Sequence, residues 1–142
     1  MSLNIDRLRS KLNDISRSLN RLRSLQSLDK EKFLQDEDAQ DIARSRLLTA
    51  MEAALNICYH ICAKKLKTVP EDYSQCFLLL ADSGLISQDL ARSMALMARF
   101  RNRLVHLYWD IDYAQVHEIM ASRLDDLENF ASQTATLINP NA

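Results

Sequence analysis

The chain is short of residues that turn or break a backbone, with one glycine and two prolines in 142 residues. Sandwiches and barrels need many turns with special dihedrals, so this scarcity argues for a few long helices. No apolar run reaches the ~20 residues of a membrane-spanning helix. The opening residues carry no basic segment followed by a long apolar one, so no secretory signal is expected and the cytoplasm is the expected compartment. The formal charge is −1. That is far from the broad basic surface of a non-specific nucleic-acid coat, yet it leaves room for a local basic cleft. The three cysteines are odd in number, and a secreted disulfide framework is not expected. There is no glycine-rich phosphate loop, internal repeat or low-complexity tract.

What is present suits one soluble domain over 1–142, with 47% apolar and 26% charged residues. Ile5, Leu8, Leu12, Ile15, Leu19 and Leu22 form a seam spaced three and four apart, which predicts a first helix over about 3–25. Its arginines read as a solvated face. Acidic residues between 27 and 41 read as a connection and the start of a second helix, because carboxylates suit a first helical turn. That second helix is predicted over about 37–65. Its wide apolar face, including Ile42, Leu47, Met51, Ala54, Leu55, Cys58 and Ile61, marks it as the central element. Pro70, with Glu71 and Asp72 in its first turn, starts a short third helix that Gly84 ends. Ser87 caps a fourth helix and Asp112 a fifth, the latter running to about 137. Residues 139–142 read as a frayed tail.

Two polar features interrupt these apolar seams. Thr49, Glu52, Asn56 and His60 step along one side of the second helix. They form either a solvent-facing stripe or a polar wall beside a cleft, where Glu52 would orient a cation. Cys58-x3-Cys62 with His60 between invites a metal reading, but His60 points nearly opposite the cysteines and no fourth ligand is evident. Buried thiols are the better account, and no metal or cofactor is expected.

The stretch of greatest chemical interest lies near the end of the fourth helix. Arg92, Arg99, Arg101 and Arg103 precede His106 and Tyr108 with no carboxylate among them. A histidine beside fixed positive charge suits chemistry on a phosphate, since imidazole moves protons near neutral pH and guanidinium offers a donor fork to phosphate oxygens. The seam of Leu90, Met94 and Met97 continues onto Arg101, so a charge occupies a position that the pattern reserves for a buried group. Arg101 therefore needs a carboxylate, a cleft or a ligand. Arg101 and His106 are five steps apart, roughly 140° around an ideal helix. Either the helix distorts or ends before His106, or the site is composite, with two copies of the segment meeting across a two-fold axis.

Arg101-x4-His106-x-Tyr108 resembles the R-x4-H-x-Y signature of HEPN-domain ribonucleases, specifically the HepT-like toxins. The segments Tyr73-Ser74-Gln75-Cys76-Phe77, Ala81-Asp82-Ser83-Gly84-Leu85, Phe100-Arg101-Asn102-Arg103-Leu104 and Asp110-Ile111-Asp112 are similar to the family's surroundings of that signature, over roughly 47–130. The resemblance implies an all-α HEPN bundle, here of about five antiparallel helices, paired as a two-fold homodimer. It implies a metal-independent endoribonuclease and toxin, partnered by a small nucleotidyltransferase antitoxin that transfers AMP to a tyrosine at the Tyr108 position. On this reading Arg101 and His106 are catalytic, and Asn102, Arg103 and Tyr108 bind or orient RNA. Glu52 and Asn56 form a supporting polar stripe, although Asn56 stands where many relatives carry aspartate. Two other readings compete with it. One is a non-catalytic dimer that binds a nucleotide or RNA beside its nucleotidyltransferase. The other is a helical dimer in which Arg101 and Glu52 make only a structural salt bridge.

Overall fold

The computed structural model describes residues 3–106 and 110–138, with His106 described by its backbone alone. Those residues form an all-α bundle without strands: α1 Ile5–Ser24, α2 Lys30–Leu34, α3 Glu37–Ile61, α4 Tyr73–Asp82, α5 Gln88–His106, α6 Tyr113–Ser122 and α7 Leu124–Ala135. A single π-helical segment, Cys62–Leu66, prolongs α3.

Side-chain caps set most of the helix starts. Asn4, Asp29, Asp36, Asp72, Ser87 and Asp112 each accept from a backbone N–H in the first turn, at 2.8–3.1 Å for the shortest bond of each. Each such bond satisfies a donor that the helix itself leaves open. Ser87 and Asp112 are the caps expected from sequence. The short third helix differs from expectation, because it begins at Tyr73 with Asp72 as its cap rather than at Pro70. Gly84 takes φ +85 after α4, and the bonds Gly84 N–H to Ala81 O and Leu85 N–H to Leu80 O close the helix end.

α3 is the central element and touches every other helix. Its core side is rich in alanine: Ala39, Ala43, Ala50, Ala53 and Ala54 are all buried. Small side chains let α1 pack close along its length, while Leu47, Met51, Ile57 and Ile61 fill the space toward the other helices. At the far side of the core, Phe77 of α4 meets Phe130 of α7 edge to face at 5.6 Å.

Three departures from the sequence reading have physical causes. The segment read as a connection contains α2, which holds to the bundle through Phe33, fully buried against Tyr113 and His117. One apolar residue makes no period, so periodicity could not find it. The predicted fifth helix is two helices, α6 and α7, broken at Arg123 (φ −119, ψ 0). The apolar seam runs through the break without losing its spacing, so the pattern alone reads as continuous. The third departure concerns the cysteines. Cys58 and Cys76 form a disulfide between α3 and α4, whereas buried thiols were expected. Cys62 keeps its thiol 3.7 Å from the Cys76 sulfur, and burial pushes its pKa up. Cys76 is remote in sequence, so the local spacing gave no sign of this pairing.

If Phe33 anchors α2 to the bundle, Phe33→Ala should lower the unfolding free energy by about 3 kcal/mol, as expected for a large buried aromatic. Urea denaturation of both proteins measures this. A loss below about 1 kcal/mol would mean that α2 detaches without the bundle sensing it.

Candidate functional site

Arg101 sits late on α5, on the face that carries Leu90, Met94 and Met97 into the core. Its guanidinium turns to α3. Nε donates to Glu52 Oε1 at 2.7 Å, and Nη2 pairs with the same oxygen. Nη1 donates to Asn102 Oδ1 at 3.1 Å. The guanidinium carbon lies 5.5 Å from the centroid of the Tyr73 ring, a cation–π distance. The Arg101 side chain is only 15% exposed, whereas Glu52 is 46% exposed. The charge is therefore held at a boundary, with its partner open to water. A guanidinium has five N–H donors, and among the described residues three of these bonds are made. The rest remain for an anion.

The polar stripe of α3 is a wall rather than a solvent-facing row. Each member below Thr49 holds something from another element. Glu52 holds Arg101. Asn56 Oδ1 accepts from Arg7 Nε of α1 at 2.9 Å. His60 Nε2 accepts from the Asn4 backbone N–H at 2.9 Å. The stripe passes from exposed Glu52 through half-buried Asn56 to buried His60. Accepting through Nε2 requires the neutral imidazole. Burial lowers the His60 pKa from its ordinary value, and the nearby positive charges of Arg7 and Lys64 lower it further.

Arg103 goes elsewhere. Its Nη1 donates to Gln115 Oε1 of α6 at 3.2 Å, on a different side of α5 from the Arg101–Glu52 pair. The structure thus brings together Arg101, Asn102, Glu52 and, one helical turn along α3, Asn56, and it does not bring Arg103 to them. Tyr108 lies outside the described residues, as does the His106 side chain. The backbone of α5 stays helical through His106, so the helix does not end before that residue. Sequence reasoning missed the contact of Tyr73 with Arg101 and that of Arg7, read as solvated, with Asn56. Neither carries a local signal, because their partners lie on other helices.

With this bundle and this arginine site in place, the family can be stated: residues 15–134 match the ribonuclease HepT-like family, and the chain belongs to it. Two relatives are similar over most of their length. An mRNA nuclease HepT of Shewanella oneidensis is 30% identical over 121 residues, 85% of this chain and 90% of that protein. A tRNA nuclease HepT of Aphanizomenon flos-aquae is 27% identical over 126 residues, 89% of this chain and 86% of that protein. Among solved structures, a tri-AMPylated Shewanella oneidensis HEPN toxin in complex with MNT antitoxin aligns with a TM-score of 0.81 at 28% identity, covering 94% of this chain and 97% of that one. The cytosolic protein YutE of Bacillus subtilis aligns at 0.86 over 97% of this chain and 92% of its own, but at 14% identity it supports the fold alone. No described helix is long and apolar enough to cross a membrane.

The His60 contact has a pH consequence whose sign follows from its lowered pKa. Between the folded value and 6.5, the unfolded chain binds more protons, so stability rises with pH. The contribution is fully present above 6.5 and is lost as pH falls through the folded value. The melting temperature of the wild type should therefore drop more between pH 7.5 and pH 5 than that of His60→Gln, with thermal melts at each pH as the measurement. Equal drops would mean that the Asn4–His60 contact does not form in solution.

Proposed function

We propose that this chain is a metal-independent endoribonuclease and the toxin of a toxin–antitoxin pair. The observation that carries this reading is the Arg101 guanidinium, fixed on Glu52 and Asn102 with donors to spare, five residues before His106 in a HepT-like chain. The reaction is transfer within the RNA strand. The ribose 2′-OH loses a proton and attacks the adjacent phosphorus. The 5′-oxygen leaves and takes up a proton, giving a 2′,3′-cyclic phosphate and a 5′-OH end. His106 serves as the acid–base group, and Arg101 stabilises the charge that builds on the phosphorane oxygens. Asn102 positions Arg101 and borders the phosphate. Arg103, on another side of α5, contacts RNA beyond the reacting phosphate.

The two catalytic groups come from a two-fold homodimer. On an unbroken helix Arg101 and His106 diverge by roughly 140°, and Arg101 is held against α3. A second copy supplies the imidazole that faces each guanidinium across a shared cleft. The control point is Tyr108. A nucleotidyltransferase antitoxin transfers AMP to its hydroxyl, placing bulk and negative charge where the RNA phosphate must enter. The AMPylated toxin–antitoxin complex among the similar structures supports this partner, and the pair acts in the cytoplasm.

The test uses purified chain, labelled RNA and EDTA. Cleavage with cyclic-phosphate ends is expected. His106→Ala and Arg101→Ala should each lower the rate by 10²-fold or more, on the order of what a lost charge-stabilising donor costs. Arg101→Ala should change stability by only about 1 kcal/mol or less, because its partner is nearly half exposed. RNA bound but left intact would favour the non-catalytic binding dimer. Full cleavage by Arg101→Ala with a lowered melting temperature would reduce the Glu52 pair to a structural salt bridge.

A further inference from the structure

A groove of about 430 Å³ runs from Glu52 along α3 and is walled by Arg7, Asn56, Tyr59, Lys64 and Tyr73. It opens directly beside Arg101, because Glu52 and Tyr73 line the groove and also bracket that guanidinium. Glu52 and Asn56 are four residues apart, about 6 Å along the helix axis. Each holds an arginine from a different helix, Arg101 and Arg7. Two guanidinium groups from different helices are thus held by successive turns of α3 beside one groove.

The chemistry of the two holders differs. Glu52 is a carboxylate and offsets the charge of Arg101. Asn56 is a neutral amide that fixes Arg7 through Nε alone, and among the described residues no carboxylate lies within ion-pair distance of Arg7. Arg7 keeps its charge and both Nη groups for another anion. Lys64 adds a second cation to the wall. His60 accepts from the Asn4 backbone N–H, and Asp72, whose charge reaches Tyr59, is engaged as the cap of α4. Tyr59 and Tyr73 line the same groove, edge to face at 5.7 Å and both half-buried. Fixed cations and an aromatic pair lining one groove are the elements that bind a single-stranded nucleotide, by phosphate contact and by stacking.

Resting on the nuclease reading above, we propose that this groove binds the nucleotide next to the scissile phosphate, with Arg7 on its phosphate and the Tyr59–Tyr73 pair against its base. Arg7 then sets substrate affinity and register rather than chemistry. On a long single-stranded RNA, Arg7→Gln should raise KM about tenfold while kcat stays within about twofold. The slope of log kcat/KM against log salt should fall by about 0.7, the value of one phosphate contact on a single strand. Arg7→Lys should recover most of the loss, and the loss should shrink as the RNA is shortened toward a single phosphodiester. Tyr59→Leu, which keeps apolar bulk but removes the stacking face, should likewise act through KM. Melting temperatures identify any variant that fails to fold.

A wild-type KM and salt slope in Arg7→Gln would overturn the proposal, as would a loss confined to kcat and equal at every RNA length. So would weakened binding of a purified nucleotidyltransferase with unchanged RNA kinetics, which would make the groove a protein-docking surface. A wild-type chain that cleaves no RNA would refute the nuclease reading instead. In that case the affinities of wild type and Arg7→Gln for intact single-stranded RNA decide the groove, and equal affinities reject it.

Discussion

A guanidinium on the apolar seam of α5 must be compensated, and the Glu52 carboxylate of α3 does this. Without Glu52, Arg101 would face the core boundary as an unpaired charge at a cost of several kcal/mol. With it, the arginine is fixed in one rotamer by bonds to two side chains and a ring. The pair also ties α5 to α3 near the point where α5 ends. Because Glu52 is half open to water, the attraction is modest in energy but strong in geometry. That balance suits a group meant to meet a phosphate. It is oriented beforehand, and some of its donors are still unused.

α3 makes this possible through the contrast between its two faces. The alanine-rich face draws α1 close, which carries Arg7 and Asn4 to the polar stripe. The π-helical segment at its end, followed by Lys67 in the left-handed region (φ 54), turns the chain back toward α4. α4 then starts at Tyr73, directly under Arg101, and the Cys58–Cys76 disulfide fastens it to α3. The wall and the arginine site are therefore consequences of one helix and its two neighbours, rather than of a separate loop.

The sequence carried the helices with long seams, the central place of α3, the Ser87 and Asp112 caps and the Gly84 stop. Each of these is written in residues close together in the chain. Arg101 stood out because it broke a local period, and Glu52 could be named as its partner because both positions fell on readable faces. What escaped was stabilised at a distance. α2 rests on one phenylalanine, the break at Arg123 leaves the seam intact, and the disulfide joins cysteines 18 residues apart. Arg7 meets Asn56 across 49 residues, the same separation as Glu52 and Arg101. Only the second of these pairs broke a pattern, so only the second could be seen in advance.

The unbroken course of α5 bears most directly on the proposed chemistry. Had the helix frayed before His106, one chain could in principle fold its imidazole back toward its own guanidinium. It stays helical through His106, and Arg101 is committed to α3 on one side. In-line transfer at phosphorus needs a proton-moving group and an oxyanion-stabilising group on the same phosphate. On the proposed reading, a helix that carries both residues five positions apart meets that need by borrowing from a second copy. In the proposed dimer, two copies related by a two-fold axis would exchange groups reciprocally, each arginine meeting the other's histidine. That proposal makes activity depend on association, so a bulky charged group attached near the helix end would disturb the proposed cleft.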